Sequence, residues 1–82
     1  MTNPPKKGLT RRQKDVYDFI VLYHRHYGIF PTFSQIRKGR IQNNQVMKEV
    51  KSKSSVRSVL IEIERRGWIV RDYSRHQAMQ IL

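Results

Sequence analysis

The sequence predicts a mainly α-helical domain that closes with a small β-hairpin, and three observations carry that expectation. First, "TRRQ" at Thr10 to Gln13 and "TFSQ" at Thr32 to Gln35 both have the spacing of a capping box, in which the first and last residues satisfy each other's backbone amides at a helix start. Second, Val16, Phe19, Ile20, Tyr23 and Tyr27 recur at helical period, as do Val56, Val59, Leu60 and Ile63. Third, the period switches after Gly67, where "WIVRDY" and "AMQIL" read as two strands joined by "SRHQ".

The elements follow in order. Residues 1–8, "MTNPPKKG", hold two prolines and a glycine without periodicity, and are expected to form a flexible basic arm ahead of a single domain over 9–82. Helix one starts at the Thr10 cap and stops at Gly28. In "FPTFSQI", Pro31 disfavours the α conformation for Phe30, so the chain is extended there before Thr32 caps a short second helix ending near Gly39. "RIQNNQVMKEVKSK" scatters Ile41, Val46, Met47 and Val50 among polar residues. A short helix over 44–50, capped by Asn43 or Asn44, and a mobile loop are both open there. Helix three is expected over 53–66, with Ser52 or Ser54 as cap, Arg65 and Arg66 complementing the dipole, and Gly67 as stop.

Composition narrows the function. A chain of 82 residues builds one small core, which leaves room for a binding surface more readily than for a catalytic cleft. There is no cysteine, hence no disulfide framework or thiolate metal site. No apolar run approaches the roughly 18–20 residues of a membrane span, and "MTNPPKKGLT" lacks the apolar core of a signal peptide. Cytoplasmic localisation is expected, nucleoid-associated when the chain is bound to DNA. Seventeen Lys and Arg against six Asp and Glu give a formal charge of +11, a self-repulsion that a polyanion relieves. Nucleic acid is the first partner this implies and an anionic membrane the second.

Nothing points to catalysis. His24 and His26 are two apart on a helix and do not share a face, and no Cys or acidic cluster joins them or His76 as zinc ligands. No nucleophile motif surrounds the serines, Glu62 and Glu64 diverge, and there is no glycine-rich phosphate loop. No enzymatic activity, metal or cofactor is expected.

The basic residues are more informative. On the helix over 53–66, the face opposite Val56, Leu60 and Ile63 carries Ser54, Arg57, Ser58, Ile61 and Arg65, with no acid before Glu62. Short hydroxyls and cations are the side chains that read base edges and phosphates. Arg37, Lys38, Arg40, Lys48, Lys51 and Lys53 lead into this helix, and Arg71, Arg75 and His76 sit on the hairpin and its tip.

"LTRRQKDVYDFI", "GIFPT" with Ile36, and "SSVRSVLIEIERRGWI" together resemble the N-terminal DNA-binding domain of LexA, the SOS-response repressor family. The resemblance covers Leu9 to Leu82. It implies a three-helix winged helix-turn-helix in which the Pro-Thr pair sets the second helix across the first. Bases would be read by the first turns of the last helix, at Ser52, Ser54, Ser55, Arg57 and Ser58. Three departures stand out. About eight extra residues lie between Gly39 and Ser52, an insertion before the recognition helix where the family has a tight turn. Ser54, Arg57 and Ser58 replace an Asn and two acidic residues of the family, which argues against the SOS operator as target. The family's self-cleaving Ser/Lys domain, which also dimerises it, is not expected here.

The expectation is therefore a small transcriptional regulator, a repressor, that binds double-stranded DNA sequence-specifically. The recognition helix would lie in the major groove, with the wing over 68–82 on the backbone or in the minor groove. The expected DNA-binding residues are Thr32, Arg40, Lys51, Ser52, Lys53, Ser54, Ser55, Arg57, Ser58, Arg71, Arg75 and His76. A homodimer on a two-fold operator is left open, as is a phage or mobile-element origin. The competing readings are a winged-helix protein-interaction module and a replication or recombination accessory protein.

Overall fold

The computed structural model describes residues 6–71 and 79–82. Helix α1 spans Arg11–Tyr27, and both halves of its capping box form: Gln13 N–H donates to Thr10 Oγ1 at 3.3 Å and Thr10 N–H donates to Gln13 Oε1 at 3.0 Å. Gly28 ends the helix in the left-handed conformation, φ 75°, and its N–H donates to the His24 carbonyl at 2.8 Å. Helix α2, Phe33–Lys38, repeats the device: Thr32 and Gln35 bond reciprocally at 2.8 and 3.2 Å, and Gly39 closes it at φ 64°. Helix α3 spans Lys53–Arg65. Of the two serines that could cap it, Ser52 does so, accepting from Ser55 N–H at 3.1 Å.

The helical periods bury most of what they predict, but Tyr27, at the end of the α1 stripe, is 43% exposed and Val59 of α3 is only half-buried. Val16, Phe19, Ile20 and Tyr23 of α1, Ile36 of α2 and Val56, Leu60 and Ile63 of α3 form one core, which Ile69 completes. At about 1.5–3 kcal/mol for each fully buried aliphatic side chain, this cluster fixes how the three helices sit together. α2 is too short to be stable alone, and Ile36, fully buried, is its anchor. Beyond Gly67, the two strands of the expected wing form an antiparallel pair. These wing strands span Ile69–Arg71 and Met79–Ile81, with Ile69 opposite Ile81 and Arg71 opposite Met79. Three α-helices and this hairpin make a mainly α winged-helix fold.

The segment between α2 and α3 corrects the expectation of a helix or a loose loop. Two short antiparallel strands, Arg40–Ile41 and Asn44–Gln45, form a second hairpin. Its two central residues, Gln42 (φ 51°) and Asn43 (φ 66°), are both left-handed, the conformation that matches the twist of a two-residue hairpin. Gln42 N–H donates to the Tyr27 hydroxyl at 3.0 Å, which pins the tip to the end of α1. The Gln45 side chain does most of the internal bonding: its amide donates to the carbonyls of Lys38 and Met47, and its oxygen accepts from Arg40 Nε at 2.9 Å. Ile41, Met47 and Val50 are buried, so the insertion joins the core instead of hanging from it.

Residues 6–8, part of the stretch read from sequence as an arm, lie against the end of α3. Lys7 N–H donates to the Arg66 carbonyl at 3.0 Å, Trp68 Nε1 donates to the Lys7 carbonyl at 2.6 Å, and Arg66 donates to the Gly8 carbonyl. Trp68 also meets Tyr17 edge-on, centroids 5.2 Å apart, which ties this corner to α1.

Burial pushes the Tyr23 phenol above its ordinary pKa, with the neighbouring Tyr27 adding to the shift. A neutral phenol favoured by folding contributes stability that is complete below the unfolded pKa of about 10 and is lost as pH rises through the higher folded value. Alkaline unfolding should therefore begin above about pH 10, and Tyr23→Phe should lessen that sensitivity in a pH-stability series followed by circular dichroism. An unchanged alkaline limb would show that Tyr23 is not the controlling group.

Candidate nucleic-acid interface

Each turn of α3 divides cleanly. Val56, Leu60 and Ile63 face the core, while Lys53, Ser54, Arg57 and Ser58 are exposed. Arg57 makes no hydrogen bond or ion pair among the described residues. The carboxylates that could have engaged it are taken up elsewhere: Glu62 lies 3.4 Å from Arg65 and 3.8 Å from Arg66, and Glu64 accepts from Arg71 N–H at 3.3 Å. A guanidinium one turn into a helix, without an acid to hold it, is available to an external acceptor. Ser58 Oγ donates back to the Ser54 carbonyl at 3.1 Å, which keeps one lone pair of its hydroxyl outward.

The other sequence-derived candidates divide into groups. Ser52 and Ser55 lie at the start of α3 and are half-buried, their hydroxyls 3.1 Å apart and engaged in the cap. Thr32 is likewise committed to capping α2. Lys51 is exposed directly before the Ser52 cap, and so joins the α3 group. Arg40 is exposed on the insertion hairpin, held by Gln45. Arg71 is placed differently: its guanidinium lies over the Phe33 ring, 5.2 Å from the centroid, so it braces the wing strand against α2. Arg75 and His76, expected at the wing tip, lie outside the described residues. Sequence reasoning missed Arg11 and Arg12, and took Lys48 only as one of the cations leading into the last helix; the fold brings all three beside the start of α3. Adjacent arginines behind a helix cap were visible in the sequence, but their meeting with Lys48 is a tertiary fact.

The histidines of α1 pack on rings. His24 stacks on Phe30 at 4.1 Å and His26 meets Tyr27 edge-on at 4.6 Å. Among the described residues no group of three or more His, Cys, Asp or Glu comes together to hold a metal, and no helix is long and apolar enough to cross a membrane.

The family model for the LexA DNA binding domain matches residues 6–78. The chain belongs to the LexA DNA-binding domain family. A LexA repressor from Koribacter versatilis (strain Ellin345) is 30% identical over 75 residues, covering 92% of this chain and 32% of the relative. The chain thus spans about a third of that relative's length. The LexA match runs through α2, the hairpin of 40–45 and α3 as one domain.

Proposed function

We propose that this chain is a sequence-specific duplex-DNA-binding regulator of the repressor kind, with α3 in the major groove and the wing on the phosphate backbone or in the minor groove. The observation that supports it best is the exposed start of α3. Lys53, Ser54, Arg57 and Ser58 lie together there, free of acidic neighbours, on a chain of formal charge +11 from the LexA family. A guanidinium at Arg57 can donate two parallel hydrogen bonds to guanine O6 and N7, while the short serine hydroxyls suit either base edges or phosphate. Thr32, Lys51 and Arg40 fit a backbone-positioning role around this centre, and Arg75 and His76 one at the wing.

Selection of binding sites from random duplexes, followed by affinity measurements on the selected site and a scrambled one, tests this. Arg57→Ala should cost about 1–3 kcal/mol on the selected site and relax preference at one base position, while Arg75→Ala should weaken both duplexes more evenly. If Arg57→Ala lowers both affinities by the same factor, Arg57 is a phosphate contact and base reading belongs to Ser54 and Ser58. If no sequence is enriched, the regulator reading gives way to an accessory DNA-binding role. If no duplex binds at low salt, it gives way to a protein-binding role.

A further inference from the structure

A cleft of about 530 Å³ opens where the N-terminal turns of α1, the returning limb of the insertion and the first turn of α3 meet. Its rim carries four cations from two distant segments: Arg11 and Arg12 from α1, and Lys48 and Lys51 from the insertion. All four are exposed, and none makes a hydrogen bond or an ion pair among the described residues. Ser55 of the first turn of α3 also lines the cleft, so it adjoins the exposed start of that helix. Two carboxylates also line it. Glu49 is partly neutralised by Arg37 at 3.7 Å; Asp15 has no ion-pair partner within 4.0 Å among the described residues. The floor of Val16, Met47 and Val50 is apolar and packed, which fixes the spacing of the charged rim.

We infer that this cleft is a second phosphate-binding surface, built by the insertion, that grips the DNA backbone strand flanking the groove entered by α3. The inference rests on the duplex-binding reading above and extends it to Arg11, Arg12 and Lys48. Charge decides the occupant. Four uncompensated cations against one unpaired and one paired carboxylate favour a polyanion, and the cleft's continuity with Lys53 and Ser54 makes it the backbone of the same duplex. Arginine forks suit phosphate oxygens bidentately, and the two lysines act as point charges opposite them. The returning limb supplies two of the four cations, Lys48 and Lys51, and two of the three apolar floor residues, Met47 and Val50. The extra residues therefore have a binding consequence as well as a packing one.

The test uses the full chain and a selected duplex, with salt titrations and phosphate-ethylation interference. The variant R11Q/R12Q/K48Q/K51Q should make the slope of log affinity against log salt shallower by about 2–4 and lower affinity by at least about tenfold at moderate salt. It should also lose a specific set of interfering phosphates beside the α3 site. R11K/R12K should keep that pattern. Asp15→Asn provides a readout of opposite sign, a severalfold gain in affinity, which a merely destabilised fold cannot produce. Wild-type binding with an unchanged slope and ethylation pattern in the fourfold variant would overturn the cleft alone and leave it to a protein partner. Failure of wild type to bind any duplex would overturn the DNA reading and the cleft with it.

Discussion

Duplex affinity is expected to fall about a thousandfold or more between roughly 50 and 200 mM salt. Each phosphate neutralised by a cation releases condensed counterions, and the slope of log affinity against log salt is about −0.9 per contact. On the proposed reading, Lys51 and Lys53 at the start of α3, Arg11, Arg12 and Lys48 of the cleft and Arg75 of the wing would supply on the order of six phosphate contacts, hence a slope near −5. Not every basic residue counts toward it. Lys14 is bound to Asp18 at 2.7 Å, a contact that also raises the lysine's pKa, and Arg65 is shared with Glu62. Such exposed pairs contribute little to stability, and a phosphate would have to compete for their cations. Fluorescence anisotropy over a salt series gives the slope directly. A value near −1 or −2 would mean that most of the +11 charge stays in solvent and that the contact with DNA is local to α3.

Gly39→Ala is expected to destabilise the domain by about 2–4 kcal/mol, against about 1 kcal/mol for Gly28→Ala. Both glycines close helices in the left-handed region, at φ 64° and 75°, so both substitutions carry the penalty of placing a Cβ there. Only Gly39 adds a collision. A Cβ on it would meet the Met47 carbonyl oxygen at 2.5 Å and its carbon at 3.1 Å, whereas at Gly28 nothing lies within 4 Å. The obstacle is backbone and cannot rotate away, because Gly39 itself accepts from Val46 and Met47 N–H at 3.0 and 3.1 Å. For a domain of this size the difference should appear as a melting temperature lower by about 10–20 °C in Gly39→Ala, and by about 4–8 °C in Gly28→Ala. Equal effects in thermal denaturation would show that the insertion can shift away from α2 at little cost.

The helices were legible because their signals are local. Thr10 with Gln13 and Thr32 with Gln35 specify the starts of α1 and α2 within four residues, and the glycines at 28 and 39 specify the stops. The insertion was not legible, for two physical reasons. Its strands are two residues each, too short for any alternation to register, and its buried Met47 and Val50 lie outside them in irregular chain. Its turn also uses Gln42 where Asn or Gly would have announced a left-handed pair. At the interface, the polar face of α3 followed from the apolar period opposite it. The roles of single residues did not. Thr32 and Ser52 spend their hydroxyls on caps, Arg71 is drawn onto Phe33, and Arg11 and Lys48 come to line one cleft only through the packing of Met47 and Val50.

The insertion leaves the helical body and returns to it at nearly the same point. Val50 N–H donates at 2.9 Å to the carbonyl of Arg37, a residue in the last turn before the departure. The hairpin is thus an excursion with a common base, and the direction of α3 is set below that base by Ile36, Val56 and Leu60. Mechanically it behaves as a clasp whose two ends are pinned together, so opening it must first break the bond between Val50 and Arg37. Ile41 and Met47 seat it on the core and Met47 lies against Gly39, so a change in its length would disturb the end of α2 as well.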